Sequence, residues 1–275
     1  DARLLAQLGL RPFDAAPDGA LRAVGSAFLI FAVRAVRDLL ALNVDRVYFL
    51  AREGIFLEQL FTAVAGASAI WRFAPRRPTF HLVRVSRSSL VAAHFTSFDD
   101  ARTLIDLTLF RHRAFDVGNF LSTWGLDLAD FSPEVADLLR ENLQLSDQTA
   151  FARLLTETPL GAEVQRLLSG ARDRAIGYLR QEEFFAPGRV AVVDIGWGGT
   201  IQLLLTKLAQ RARAPVEIVG LYFGTDKRIG ELDAEVPASV ALPGYLIDHG
   251  RKPHAVAELR LAFPVIETLA GDDRV

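Results

Sequence analysis

Residues 190–205, VAVVDIGWGGTIQLLL, place one carboxylate beside a turn that is almost free of side chains. Four apolar residues lead to Asp194, and Gly196, Gly198 and Gly199 leave the backbone N–H groups of the turn open before Thr200. Open N–H groups at the start of a helix favour an anion, most often phosphate. Asp194 is suited to hold Mg²⁺ or to bond ribose hydroxyls, and Thr200 to cap the helix or to donate to a phosphate oxygen. The alternative interpretation is a tight turn whose glycines serve packing.

Two common nucleotide motifs are excluded by the spacing of this turn. A Walker A loop needs Lys before the Ser or Thr, and Gly199 stands at that position. The dinucleotide fingerprint needs a third Gly at a spacing that this turn lacks. A G-x-S-x-G elbow and a Cys nucleophile are also missing, so acyl-transfer hydrolysis has no obvious machinery.

The other predicted strands also end in polar or Gly-rich residues. Since ligands bind at the carboxyl ends of parallel strands, these ends are expected to converge on one site. The three segments that follow the predicted strands are Arg52-Glu53-Gly54, Ser86-Arg87-Ser88 and Gly224-Thr225-Asp226. An Arg fork at such a position can clamp a phosphate. The alternative is that these residues cap helices and that the arginines are ordinary surface residues.

The pattern of apolar residues predicts an α/β fold, with a parallel sheet and helices on both of its faces. Strands are predicted at 46–51, 79–86, 189–195 and 216–224, and helices at 20–43, 53–65 and 200–212. Residues 97–185 have helical patterning throughout, with helices predicted at 100–109, 133–143, 147–156 and 160–182. The N-caps of the first three are expected to be Asp99, Ser132 and Ser146. We therefore expect a core of 1–96 and 186–275 with a helical insertion at 97–185. Residues 225–253 read as loop, and 254–262 as a last helical stretch that carries Glu258.

Composition narrows the class of protein. Because 51% of the 275 residues are hydrophobic, the chain can form a large apolar core. Its net charge of −2 does not indicate a nucleic-acid-binding protein. The most apolar stretch, 24–42, contains Arg34, Arg37 and Asp38, so no transmembrane segment is expected. The absence of Cys excludes disulfides, and the five scattered His residues lack zinc spacing. The absence of Met favours a fragment or a processed form, or a sequence from which modified Met is missing.

Four segments together resemble a known family: VYFLAREGIFLEQLF, VSRSSL, VVDIGWGGTIQLLL and GLYFGT. They are similar, in order and separation, to the C-terminal region of bacterial polysaccharide-biosynthesis proteins usually labelled HAD-superfamily hydrolases. The resemblance covers about residues 20–265, and the DIGW-G-x-x-Q element is its most specific part. The chain departs from the family at Glu53, where Asp is commoner, and matches weakly after Glu258. The D-x-D pair that a HAD phosphatase needs does not follow any predicted strand.

The resemblance implies a phosphoribosyltransferase-like core that acts as a ribofuranosyltransferase. Such a module moves 5-phosphoribosyl from phosphoribosyl pyrophosphate (PRPP) to a glycan hydroxyl, with Mg²⁺, in the synthesis of lipopolysaccharide O-antigen or capsule. A HAD-type phosphatase module, on the same or a separate chain, then removes the 5-phosphate. The resemblance implies a cytoplasmic protein, either free in the cytoplasm or at the inner face of the membrane. Alternative functions are a phosphohydrolase acting on a sugar phosphate and a non-catalytic module of a polysaccharide assembly complex.

The resemblance also implies roles for individual residues. Asp194 would bond the metal or the ribose, and Glu53 or Glu258 would take the proton of the acceptor. The residues that would bind PRPP or its phosphates are Arg52, Gly54, Ser86, Arg87, Gly196, Trp197, Gly198, Gly199, Thr200 and Gln202. Trp197 would stack on the acceptor or shield the loop from water.

Overall fold

A computed structural model describes residues 19–67, 76–94, 104–105, 108–109, 114–226 and 244–247. The chain divides into two compact units. The first unit contains residues up to Val85 and from Glu182 onward, and the second contains Ser86–Gln181. The second unit therefore interrupts the first in the sequence.

The described part of the first unit is an α/β fold built on a five-stranded parallel sheet. The strands lie in the spatial order β2-β1-β3-β4-β5. Their bounds are β1 Arg46–Leu50, β2 Thr79–Val83, β3 Gly188–Asp194, β4 Val216–Gly224 and β5 Gly244–Ile247. Three helices accompany them: α1 Gly19–Ala41, α2 Gly54–Ala67 and α8 Thr200–Arg211. The predicted fold class of a parallel sheet with helices is thus confirmed.

One face of the sheet forms the main apolar core with α1 and α2. Strand register brings side chains at alternate positions into one layer, so Phe49 lies beside Val193 and Val193 beside Leu221. Phe31 from α1 and Phe61 from α2 pack edge to face at 5.5 Å, and both are fully buried. Burying aromatic side chains of this size contributes about 1.5–3 kcal/mol each, so this face anchors the sheet.

The opposite face carries polar groups within an otherwise apolar layer. Tyr48 of β1 is fully buried and packs against Phe184 with the rings tilted and their centroids 4.9 Å apart. Its hydroxyl donates a 2.8 Å hydrogen bond to the carbonyl of Glu182. Burial, the dominant cause, raises the pKa of Tyr48 from 10.0 to about 12. Tyr222 of β4 lies on this same face and contacts Gln202 of α8, so α8 covers the side of the sheet opposite to α1 and α2.

The amino ends of β1 and β3 are held together by Asp45. Its Oδ2 accepts from the backbone N–H of Arg189 at 3.0 Å, and its Oδ1 forms a 2.9 Å ion pair with Arg76. Gly188 begins β3 with φ of +122°, and a Cβ there would overlap Oδ2 of Asp45. Glycine is required at this position because the conformation and the space both exclude a side chain.

The described part of the second unit is helical. Its helices are α3 Arg87–His94, α4 Val117–Trp124, α5 Pro133–Glu141, α6 Gln148–Glu157 and α7 Leu160–Gln181, with a 3₁₀ turn at Leu128–Asp130. Glu163 in the first turn of α7 joins two of these helices. It accepts from the Ser132 hydroxyl at 2.6 Å and from the Ser132 backbone N–H at 2.8 Å. These two hydrogen bonds, and to a smaller extent Arg166, lower the pKa of Glu163.

Several predicted boundaries are corrected by the structure. The second strand ends at Val83 and not at residue 86, because Ser86 caps α3 through its contacts with Ser89. Asp147, not Ser146, caps α6, since its carboxylate accepts from the N–H groups of Thr149 and Ala150. Ser132 is the N-cap of α5 as predicted, but its hydroxyl bonds Glu163 instead of the helix.

Three elements, α3, α4 and β5, were not predicted from the sequence. α4 is an eight-residue helix that begins at an Asp116 cap and ends at Gly125 in the left-handed conformation. α3 lies directly after the predicted strand 79–86, where no element was predicted, and β5 lies within the predicted loop 225–253. The four residues of β5 are too few to show a period, and the strand is fixed by pairing with β4.

The predicted division at residue 97 and residue 185 stays a prediction, as do Asp99 as a cap and a helix at 254–262, which lie outside the described residues. Within the described residues, no helix is long and apolar enough to cross a membrane.

Candidate functional site

The strand order makes the carboxyl ends of β1 and β3 the expected position of a ligand crevice. The chain runs from β1 outward to β2 in one direction and from β3 through β4 to β5 in the other. Loops that leave the carboxyl ends of two such strands diverge, and ligands of open α/β sheets bind in the crevice between them. The loops at this position are 51–53 after β1 and 195–199 after β3. Each contains a cis peptide bond, at Ala51–Arg52 and at Gly196–Trp197.

The loop 195–199, called the Gly-rich loop below, is tied to the end of β4. The backbone N–H of Gly224 donates to the Ile195 carbonyl at 2.9 Å, and that of Asp226 donates to the Trp197 carbonyl at 2.8 Å. Gly196 has φ of +135°, and a Cβ there would overlap the carbonyl oxygen of Gly224. Only glycine fits this close approach, so the sequence of the loop follows from its path.

Helix α8 begins directly after the Gly-rich loop without a side-chain cap. Its N-cap is Gly199, in the left-handed conformation with φ of 64°, and no described side chain bonds the first turn as a cap. Thr200, which was considered as a cap, is instead the first helical residue. The N–H groups of an uncapped first turn keep their hydrogen-bonding capacity, and the helix dipole adds positive potential there. This end of α8 suits an anion.

Asp194 lies where β3 passes into the Gly-rich loop. It is the last residue of the strand and is half-buried, and its Oδ1 accepts from the backbone N–H of Ile195 at 2.8 Å. Its neighbour in register is Tyr222 on β4. Burial, and then the charge of Asp194, raises the pKa of Tyr222 well above its ordinary value. A carboxylate at this position could bond hydroxyls or a metal in the crevice.

Gln202 and Tyr222 form a buried polar pair next to Asp194. The Tyr222 hydroxyl donates to Gln202 Oε1 at 2.7 Å, and the two residues are 1% and 0% exposed. The Gln202 Nε2 has no hydrogen-bond partner among the described residues. A buried donor without a partner costs about 1–3 kcal/mol of stability. Gln202 was predicted as a ligand-binding residue, and Tyr222 was not singled out.

The turn after β1 carries an exposed cation. The Arg52 guanidinium forms a 2.8 Å ion pair with Glu53, and the side chains are 56% and 18% exposed. The Arg52 side chain is thus exposed to solvent, while the Glu53 side chain is largely covered. Gly54 opens α2, and a Cβ there would lie 2.8 Å from the backbone carbon of Phe49. Helix–strand packing accounts for this glycine, and its predicted role in phosphate binding stays a prediction.

Trp197 faces the apolar core. Its side chain is 5% exposed and packs edge to face on Phe223 with ring centroids 6.5 Å apart. The indole is occupied by core packing, so stacking on an acceptor does not follow from its position. If Trp197 contacts a ligand, it does so through its backbone atoms.

Ser86 and Arg87 belong to the second unit. The Ser86 hydroxyl accepts from the backbone N–H of Ser89 at 3.0 Å, and the Ser89 hydroxyl donates back to the Ser86 carbonyl at 2.9 Å. These contacts start α3 and explain Ser86 as a capping residue. The site described here is therefore built from first-unit residues, and roles for Ser86 and Arg87 stay predictions. Glu258 lies outside the described residues.

Thr225 and Asp226 are not among the predicted ligand-binding residues, but they lie beside the Gly-rich loop. They follow β4, are 0% and 2% exposed, and adjoin the Gly-rich loop through the Asp226 N–H. Charged residues are rarely buried to this extent unless they have a structural or functional partner. The signal in the sequence was a Thr-Asp pair directly after the apolar run 216–224.

Among the described residues, no group of three or more His, Cys, Asp or Glu is placed to hold a metal ion. Comparison with protein-family models and with curated proteins finds no match for this chain.

Proposed function

We propose that this chain transfers a 5-phosphoribofuranosyl group from PRPP to a glycan acceptor in bacterial surface polysaccharide synthesis. The observation that carries the proposal is the Gly-rich loop at the β1/β3 crevice, followed by the uncapped first turn of α8. Gly196 is half-buried, and Gly198 and Gly199 are buried. Backbone N–H groups at the start of a helix suit the 5-phosphate of a ribosyl donor. The resemblance of the DIGW-G-x-x-Q segment to ribofuranosyltransferase modules supplies the identity of the donor.

The proposed roles follow from position in the crevice. The loop residues Gly196, Gly198 and Gly199, with Thr200, hold the 5-phosphate, and Asp194 bonds the ribose hydroxyls. Arg52 holds the pyrophosphate, because its exposed guanidinium stands on the other wall of the crevice. The fixed charges then stabilise the negative charge that develops on the leaving group.

The proposed reaction exchanges one bond at C1 of the ribose. The bond from C1 to the pyrophosphate oxygen breaks, and a bond from C1 to the acceptor oxygen forms on the opposite face. The configuration inverts from α-PRPP to a β-ribofuranoside. The acceptor proton passes to a carboxylate base on that opposite face. Glu53 is paired with Arg52, which is proposed to hold the pyrophosphate, so Glu258 is the candidate for this base.

Magnesium fits this site only in a limited way. Asp194 offers a hard oxygen ligand, and Mg²⁺ is commonly held by one or two carboxylates together with substrate phosphates. When bound, Mg²⁺ would neutralise part of the pyrophosphate charge.

PRPP binding with Mg²⁺, measured by calorimetry, and pyrophosphate release with candidate glycan acceptors test the proposal. Arg52→Gln should weaken PRPP binding about 10-fold or more, since it removes a charged hydrogen-bond donor. Arg37→Gln is the matched control: Arg37 is also paired with an adjacent acid, Asp38, and is 60% exposed, but it lies within α1. Asp194→Asn should lower the rate of pyrophosphate release.

Two outcomes would overturn the proposal. One is the absence of both PRPP binding and pyrophosphate release with every acceptor. The other is turnover of p-nitrophenyl phosphate with Mg²⁺ in place of ribosyl transfer, which would support the phosphohydrolase alternative.

A further inference from the structure

The buried pair of Tyr222 and Gln202 connects the two ends of the Gly-rich loop. Tyr222 is the register neighbour of Asp194, where the loop begins. Gln202 lies in the first turn of α8, where the loop ends, and its Oε1 accepts the Tyr222 hydroxyl proton at 2.7 Å. A single hydrogen bond thus fixes the start of α8 to the strand beside the end of β3.

Stability alone does not explain this pair. Both side chains are within 1% of complete burial, yet the Nε2 of Gln202 has no partner among the described residues. Replacing both members of a buried polar pair with apolar side chains of similar shape is nearly neutral or stabilising. A polar pair that leaves a donor unsatisfied, directly behind a candidate ligand loop, indicates a functional constraint.

The direction of the hydrogen bond supports a positioning role. Burial and the charge of Asp194 keep the Tyr222 phenol protonated, so that it remains able to donate. Oε1 is the acceptor of the Gln202 amide, which fixes which end of the amide faces Tyr222. This hydrogen bond therefore fixes the orientation of the Gln202 side chain, and of the first turn of α8, relative to β4.

We propose that Tyr222 and Gln202 are positioning residues that set the shape of the Gly-rich loop and hence the spacing of its anion-binding N–H groups. Neither side chain has to touch the ligand for this role. The effect on ligand affinity rests on the proposed function, whereas the effect on loop shape does not.

Hydrogen exchange of the amides at 195–203 in the ligand-free protein tests the positioning. Tyr222→Phe should speed this exchange about 10-fold, because the bond that fixes the first turn of α8 is lost. The double variant Tyr222→Phe with Gln202→Leu should regain thermal stability, since it buries no unsatisfied amide, but should keep the fast exchange. Thr206→Val is the control: its hydroxyl is also buried without a partner, one turn further along α8, and the variant should leave the exchange at 195–203 unchanged.

PRPP titration of the same variants separates the two proposals. PRPP affinity should fall about 10-fold in both the single and the double variant, although only the single variant loses stability. Recovery of wild-type exchange and affinity in the stable double variant would overturn the positioning role. If wild-type protein binds no PRPP while the exchange still responds to Tyr222→Phe, the positioning role stands and the proposed function fails.

Discussion

Gly196 approaches the carbonyl oxygen of Gly224 so closely that a Cβ on Gly196 would overlap that oxygen. A Cβ on Gly188, at the other end of β3, would instead meet the side-chain carboxylate of Asp45. Both glycines have a positive φ, so an alanine at either position is strained as well as crowded. The two positions differ in the contacted group, which is backbone at Gly196 and a side chain at Gly188. They also differ in location, since Gly196 lies in the candidate site and Gly188 at the amino end of β3.

Gly196→Ala and Gly188→Ala should therefore separate stability from ligand binding. Each should lower the free energy of unfolding by about 1–3 kcal/mol, measured by urea denaturation. Only Gly196→Ala should abolish PRPP binding in calorimetry. Equal loss of binding in both variants would mean that binding follows stability and not the shape of the Gly-rich loop.

Tyr48→Phe should change the alkaline limb of the stability profile. The pKa of Tyr48 is raised from 10.0 to about 12 in the folded protein, chiefly by burial. Its neutral form is therefore favoured by folding, and stability is lost as the pH rises from about 10 through 12. Below pH 9 the variant should be less stable by about 1 kcal/mol, because the bond to the Glu182 carbonyl is lost. Urea unfolding at pH 8 and pH 11.5 should show a smaller decrease for the variant than for wild type.

Glu163→Gln should change how the free energy of unfolding depends on pH in the acidic range. The hydrogen bonds from Ser132 lower the pKa of Glu163 below 4.5, so the stabilisation is present above that pH and is lost as the pH falls. The variant should be less stable than wild type at pH 7, and the difference should shrink at pH 3.5. Ser132→Ala, which removes the hydroxyl donor from the other side, should reproduce part of the effect. A difference that stays constant with pH would exclude the ionised carboxylate as its source.

Thr225→Val and Thr108→Val compare two fully buried hydroxyls. The Thr225 hydroxyl has no hydrogen-bond partner among the described residues, whereas the Thr108 hydroxyl donates to the Leu104 carbonyl at 2.9 Å. Thermal or urea unfolding should show that Thr225→Val raises the free energy of unfolding by about 1 kcal/mol and that Thr108→Val lowers it by a similar amount. Destabilisation by Thr225→Val would mean that its hydroxyl has a role in the folded protein.

The fold was largely readable from the sequence because its strands are short apolar runs that end in polar residues. Residues 47–50 and 190–193 are buried on both faces of the sheet, which gives the continuous apolar pattern of a parallel sheet. β5 could not be read in this way, since its four residues depend on β4 for their conformation. α4 depends on the Asp116 cap, a single residue within a polar segment.

Only part of the candidate site could be predicted from the sequence. The Gly-rich loop and Asp194 have a local signature, and the structure places them at the crevice. The burial of Trp197 and the bond between Tyr222 and Gln202 depend on contacts between separate elements, so spacing along the chain could not show them. Ser86 was predicted to end a strand, whereas its hydroxyl caps α3. A Ser directly after an apolar run fits both positions, so the local sequence does not distinguish them.

The pairing of β1 with β3 joins segments that are remote in the sequence, and Asp45 and Arg189 at its amino end are 144 positions apart. Such contacts are among the slowest to form in a folding chain, since a long segment must be closed before they contribute. The crevice has β1 as one wall and β3 as the other, so it does not exist until this closure is complete. A nascent or truncated chain that stops before residue 190 would have the first wall without the second. Under the proposed function, ligand binding therefore requires that both halves of the first unit have come together.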